Sequence, residues 1–173
     1  MLNTKLILIE GLPGAGKSTT TEYLQNALNQ QGLECRGYLE EDRPHPIDCL
    51  DFAIKGLPEK VVPLWKEFIE QAKQTSILTI IESRLWQSTG LYMFMSEVDE
   101  REIVEFTHQV YELILPLSPA LIYLDQDDTE TALRRLYTLR GKAWMDAALD
   151  ETLQYPWFQS RGYYDFTGWV KFF

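Results

Sequence analysis

Early in the chain stands a run of residue types suited to holding a polyphosphate. Gly11-Leu12-Pro13-Gly14-Ala15-Gly16-Lys17-Ser18-Thr19 has the G-x-x-x-x-G-K-S spacing of a phosphate-binding loop. A triphosphate needs many N–H donors in a small concave space, and side chains at those positions would block it. Gly11, Gly14 and Gly16 allow the backbone to turn with positive φ and approach the anion closely. Lys17 is placed to reach the β- and γ-phosphates, and the Ser18 hydroxyl to ligate Mg²⁺. All of Gly11 to Thr19 is therefore read as the donor site, with ATP and Mg²⁺ as the expected cofactors. The loop itself does not choose ATP over GTP.

A phosphate-binding loop names the donor and not the reaction. Phosphoryl transfer also needs neutralised phosphates and a group that orients the acceptor oxygen. Glu40, in the acidic stretch Glu40-Glu41-Asp42, is the candidate general base. Glu82 of Glu82-Ser83-Arg84 is a candidate for the Mg²⁺ shell, and Arg84 for contact with substrate or phosphate. Arg140, with Arg134 and Arg135 upstream, is a candidate phosphate contact. Asp125 to Asp128 read better as a helix cap than as metal ligands. His45 and His108 stand alone, without a motif partner.

These candidates need a framework that brings them together. Leu6 to Ile9 is a short apolar strand that feeds directly into the loop. A helix follows from Lys17 to about Gln31, with Tyr23, Leu24, Ala27 and Leu28 as its buried stripe and Gly32 as its stop. Leu33 to Leu39 reads as a second strand, and residues 43–56 as loop or short turns around Pro44-His45-Pro46. Trp65, Phe68, Ile69 and Ala72 mark a helix from Pro63 to Gln74. Ile77 to Ile81 is a third strand, followed by helical sequence to Met95 rich in aromatic residues. Ser96 and Asp99 resemble a capping box before a helix carrying Ile103, Phe106, Val110 and Ile114 on one face. Ala120 to Leu124 is a fourth strand, and Asp127 or Asp128 opens a helix reaching Arg140-Gly141. Strands alternating with helices imply a parallel sheet covered on both faces, with ligands at the carboxyl ends of the strands. The candidate residues fall at those ends. After Pro156 the sequence turns strongly aromatic, from Trp157 to Phe173.

With 173 residues the chain reads as a single domain spanning 1–173. The net charge of −10 and the lack of any basic run exclude an extended nucleic-acid surface but not a small phosphorylated ligand in a local positive pocket. No apolar run is long enough for a membrane span, and no signal segment precedes the first strand. Cys35 and Cys49 lack metal or redox spacing, so reduced thiols and a cytoplasmic location are expected. A small-molecule acceptor is the expected partner, and a homodimer stays open.

The pattern resembles the nucleoside and nucleotide kinases, above all the deoxynucleoside kinases and thymidylate kinases. The resemblance implies a P-loop NTPase three-layer αβα sandwich around a central parallel sheet. It also implies a glutamate base at the end of strand two, matched by Glu40. The deoxynucleoside kinases carry Glu-Arg-Ser after strand three, whereas here the order is Glu82-Ser83-Arg84. Thymidylate kinases have Asp-Arg there with a nearby aromatic-Gln pair, to which Trp86-Gln87 is similar. Arg135 to Lys142 resembles the lid outline R-x-x-x-x-R-G-R, with Lys in the last place. The family's fifth strand and adenine-contacting loop are not evident before Phe173. That leaves open a chain truncated after the lid, or an aromatic tail packed in another way. The implied activity is transfer of the γ-phosphate of ATP to a nucleoside or nucleotide. Two alternatives stand beside it: a phosphotransferase acting on a non-nucleoside, and an NTP-dependent regulatory module.

Overall fold

The computed structural model describes residues 3–49 and 56–173. Four parallel strands, β1 (Leu6–Gly11), β2 (Cys35–Tyr38), β3 (Leu78–Glu82) and β4 (Ala120–Leu124), lie in the order β2-β3-β1-β4. Register is fixed by pairs such as Ile7 with Ile80 and Gly11 with Leu124. Central strands of a parallel sheet are buried on both faces and therefore read as continuous apolar runs, as β1 and β3 do. Alternate residues go to opposite layers. Leu6 and Leu8 join Trp65, Phe106 and Val110 on one side, while Ile7 and Ile9 join Cys35, Leu78 and Ile80 on the other.

Helix α1 (Lys17–Gln30) covers the second of these layers with Leu24 and Leu28. Tyr23, expected in its buried stripe, is 69% exposed. The helix instead turns Thr21 inward, and Gln25 and Asn29 bind the backbone of β2 at Gly37 and Cys35. These polar anchors rotate the helix away from the face its apolar residues suggest.

The opposite layer holds α2 (Leu57–Lys73) and α4 (Glu100–Ile114), with the short α3 (Leu91–Met95) between them in sequence. Pro63 was expected to open α2 and instead lies inside it. The buried stripe Leu57, Val61, Trp65 extends a turn and a half upstream of the proline, so packing outweighs the lost backbone hydrogen bond. The cap of α4 is Asp99, whose carboxylate accepts from the Arg101 N–H, rather than the expected Ser96. The expected loop over 43–56 lies partly outside the described residues.

The aromatic segment folds as helices. α5 (Thr129–Arg140), capped by Asp128, is followed by α6 (Lys142–Thr152), α7 (Pro156–Arg161) and α8 (Phe166–Phe172). Met95, Leu133, Met145, Phe158 and Trp169 form their shared core. This third cluster stands beside the carboxyl end of the sheet. β4 is one of the two edge strands, with Leu121 and Tyr123 about half exposed. Among the described residues no helix is long and apolar enough to cross a membrane.

Candidate active site

The ends of β1, β2 and β3 open onto one cavity of about 700 Å³, within the usual range for a small-molecule site. One side is the loop between β1 and α1, closed by the Ala15 N–H on the Leu12 carbonyl at 3.1 Å. Gly11 runs at φ +147° directly against β4, where a Cβ would stand 2.5 Å from the Leu124 carbonyl oxygen. Gly16 takes φ +90° at the start of α1, and no side chain caps that helix. Its first N–H groups are therefore left for an anion. This cradle fits a polyphosphate.

Lys17 is buried, and its Nζ donates to the Leu12 carbonyl at 2.9 Å. Burial lowers its pKa, while Glu40, Glu82 and Glu10 oppose that shift. Ser18 Oγ donates to Glu82 Oε1 at 2.9 Å, and Glu82 Oε2 accepts the Glu40 backbone N–H at 3.4 Å. One hydroxyl and one carboxylate beside a phosphate cradle fit Mg²⁺, which keeps several waters and takes one or two carboxylates besides phosphate oxygens. Burial raises the Glu82 pKa against the pull of Ser18 and Lys17.

Glu40 stands across the cavity from Lys17. The Ser88 hydroxyl, which also reaches the Ser83 carbonyl, lies 3.3 Å from Glu40 Oε1. Gln87 Nε2 lies 3.5 Å from Glu40 Oε2. Burial pushes the Glu40 carboxyl up and Lys17 pulls it back, so the group is a stronger base than an exposed glutamate.

The turn after β3 explains the fate of Arg84. Ser83 adopts φ +59°, a left-handed conformation costing about 1–3 kcal/mol. The chain then enters a wide turn of π-helix, Trp86–Gly90. Arg84 is thereby sent into the interior, fully buried and outside the cavity lining. Its Nη2 donates to the Glu40 carbonyl, and Nη1 has no partner among the described residues. The His45 pKa is pushed down to about 3, first by burial and then by Arg84, so the imidazole is neutral. Its Nδ1 accepts from the Ile47 N–H at 2.9 Å, which puts the ring proton on Nε2. The 3.5 Å approach of Arg84 Nε to that nitrogen is thus donor against donor. Arg84 braces the Glu40 backbone and does not face the ligand space.

Glu10 holds the same turn from below. Its buried carboxylate accepts the N–H groups of Leu85 at 2.8 Å and Gln87 at 3.1 Å. Burial raises its pKa against these hydrogen bonds. Sequence reading missed this residue because it sits inside an apolar strand run; a charge there is the signal that marks it.

The rest of the cavity lining is rich in aromatic residues. Tyr92, Trp144, Trp169 and Phe173 belong to it, and the Arg140 guanidinium lies 5.6 Å from the Trp144 ring centroid. Arg43, Glu41 and Glu151 add charge to the rim. Of the sequence candidates, Pro13, Gly14, Gly16, Lys17, Ser18, Thr19, Glu40, Glu82 and Arg140 meet in this cavity. Gly11, Leu12 and Ala15 shape the loop behind it. Arg134 pairs with Glu130 at 2.6 Å on an exposed helix face. Trp86 packs edge-on to Tyr123, away from the cavity.

No protein-family model matches the chain, and no curated protein matches it in sequence. Among solved structures it is similar to the crystal structure of APE1195, at 14% identity and a TM-score of 0.53, over 88% of this chain and 77% of that one. The fold is a three-layer αβα sandwich around a parallel sheet, with the phosphate-binding loop between β1 and α1. The chain is also similar to deoxyadenosine kinase from M. mycoides with bound dATP, at 23% identity and a TM-score of 0.45 over 80% and 72% of the two chains. Thymidylate kinase from Candida albicans matches at 14% identity and a TM-score of 0.42 over 79% and 92%. Likenesses at such identities concern the fold.

Proposed function

We propose that this chain is a kinase-like phosphotransferase that moves the γ-phosphoryl group of ATP, with Mg²⁺, to a small acceptor of the nucleoside or nucleotide kind. The observation that carries the reading is the Ser18–Glu82 contact at the mouth of the loop, with Glu40 facing Lys17 across the same cavity. Bound ATP and Mg²⁺ supply the transferable group and the neutralising charge.

The chain's own residues do the rest. The backbone from Pro13 to Ser18 binds the donor phosphates, and Lys17 places a cation among them. Ser18 and Glu82 hold the metal. Glu40 Oε receives the acceptor proton, at a height set by the Arg84 grip on its carbonyl and the Glu82 grip on its N–H. The aromatic wall from Tyr92 to Phe173 excludes water from that face. A non-nucleoside acceptor is the second reading. It is supported by the burial of Arg84, which removes from the cavity the arginine that the resemblance to deoxynucleoside kinases places there.

The test is steady-state turnover with ATP, Mg²⁺ and a panel of nucleosides and nucleotides, products being read by mass spectrometry. Formation of ADP matched by a phosphorylated acceptor supports the reading. ATP binding with no phosphorylated product from any member removes the nucleoside and nucleotide assignment.

A further inference from the structure

The charges around the cavity distinguish between two kinds of acceptor. Resting on the phosphotransferase reading, the donor triphosphate takes Lys17 of the phosphate loop and Arg140, the candidate phosphate contact that lines the cavity from the end of α5. Among the described residues that leaves Arg43 as the remaining cation of the lining. It is already engaged, with Nη1 donating to the Asp42 carbonyl at 2.8 Å and Nε 3.5 Å from Asp48 Oδ1. Arg84 is sealed behind Glu40 and does not reach the cavity. Against this stand the carboxylates of Glu40, Glu41 and Glu151.

A phosphomonoester carries about −1.5 to −2 charge at neutral pH and is recognised through charge-assisted donors, bidentate arginine above all. Among the described residues the lining offers no further cation and presents like charge instead. It also offers the flat apolar faces of Tyr92, Trp144 and Phe173, suited to a ring or hydrocarbon body. We infer that the acceptor is an alcohol carrying no negative charge, so that the enzyme phosphorylates a free hydroxyl and not an existing phosphate; within the nucleoside and nucleotide classes it selects the nucleoside.

In that reaction the acceptor O–H bond breaks and its proton goes to the Glu40 carboxylate. The oxygen bonds to the γ-phosphorus, and the bond from that phosphorus to the β–γ bridging oxygen breaks, its electron pair leaving on ADP. The product is a phosphomonoester. It meets Glu41 and Glu151 as a like charge, and Glu40 as well once that carboxyl has released its proton to water, which favours its release.

The test uses the full chain with ATP, Mg²⁺ and matched pairs, each an alcohol and its own phosphomonoester: nucleosides with their 5′-monophosphates, and sugars and amino alcohols with theirs. Within a pair that is turned over, kcat/KM is expected to favour the alcohol by about 100-fold or more, the scale of one or two uncompensated charge contacts. Glu151 is exposed and lines the cavity. Glu151→Arg is expected to shift the ratio about tenfold towards the phosphomonoester, one charge contact's worth. Equal or better turnover of phosphomonoesters overturns the inference and leaves the phosphotransferase reading standing. Turnover of neither member of any pair, with ATP bound, overturns that reading, and the inference falls with it.

Discussion

On the proposed reading the cavity has a donor wall and an acceptor wall, and the two are built on different principles. The donor wall is one contiguous segment whose working groups are mostly backbone N–H donors, so its sequence is dictated by what must be absent, namely side chains at Gly11, Gly14 and Gly16. The acceptor wall gathers side chains from the ends of β2 and β3, the π-turn, α3, α6 and α8. Each of those positions tolerates many residue types, and their meeting is a product of the fold. A site made of backbone leaves a sequence motif; a site made of assembled side chains leaves scattered residues.

Perturbing each wall sharpens that contrast. Lys17→Ala removes the donor wall's one buried cation and is expected to lower kcat/KM about 10³-fold, the scale of losing a preorganised charge at the transferred group. Circular dichroism of the variant should match the parent. Glu40→Gln keeps shape and removes the base, with an expected loss in kcat of about 10²-fold. Its pH profile is the more telling readout. Burial lifts the Glu40 carboxyl above the ordinary carboxylate range, and the base works only when ionised. Activity is therefore present above that raised pKa and lost as pH falls through it. The parent should show this acid limb and Glu40→Gln should lack it; an unchanged limb would assign the titration to another group.

Smaller effects follow from the supports. Glu10→Ala leaves the Leu85 and Gln87 N–H groups without their acceptor, at a cost of about 2–4 kcal/mol in stability at roughly 1–2 per group, and should lower turnover about tenfold by loosening the Gln87 turn. Thermal unfolding and kinetics separate the two consequences. Trp144→Ala trims the aromatic wall and removes the ring that Arg140 lies over. KM for the acceptor should rise about tenfold, the scale of one lost apolar contact of 1–3 kcal/mol, and by more than KM for ATP. An equal rise in both would mean that the walls are not independent.

The legibility of the molecule follows the same division. The strands were readable because β1 and β3 are buried on both faces, and the phosphate loop because its spacing is rigid. Glu40 and Glu82 were readable as strand-end carboxylates. The side-chain role of Tyr23 was not, because Gln25 and Asn29 choose the face of α1 through hydrogen bonds to β2 that no periodicity encodes. Arg84 was placed by the left-handed turn at Ser83, a conformation that a serine does not advertise. The aromatic segment could be seen to be unusual, but only packing against Met95 and Leu133 makes it a wall.

That wall has an optical consequence. The chain has 5 tryptophans, of which Trp144 and Trp169 line the cavity. Arg140 lies over the Trp144 ring, so a ligand that draws the guanidinium towards phosphate also strips a cation from an indole face. On the proposed reading, donor binding is expected to register in the protein's own fluorescence. Occupancy of the cavity becomes readable without a label, in a signal that Trp144→Phe should diminish and Trp65→Phe, in the opposite layer, should leave in place.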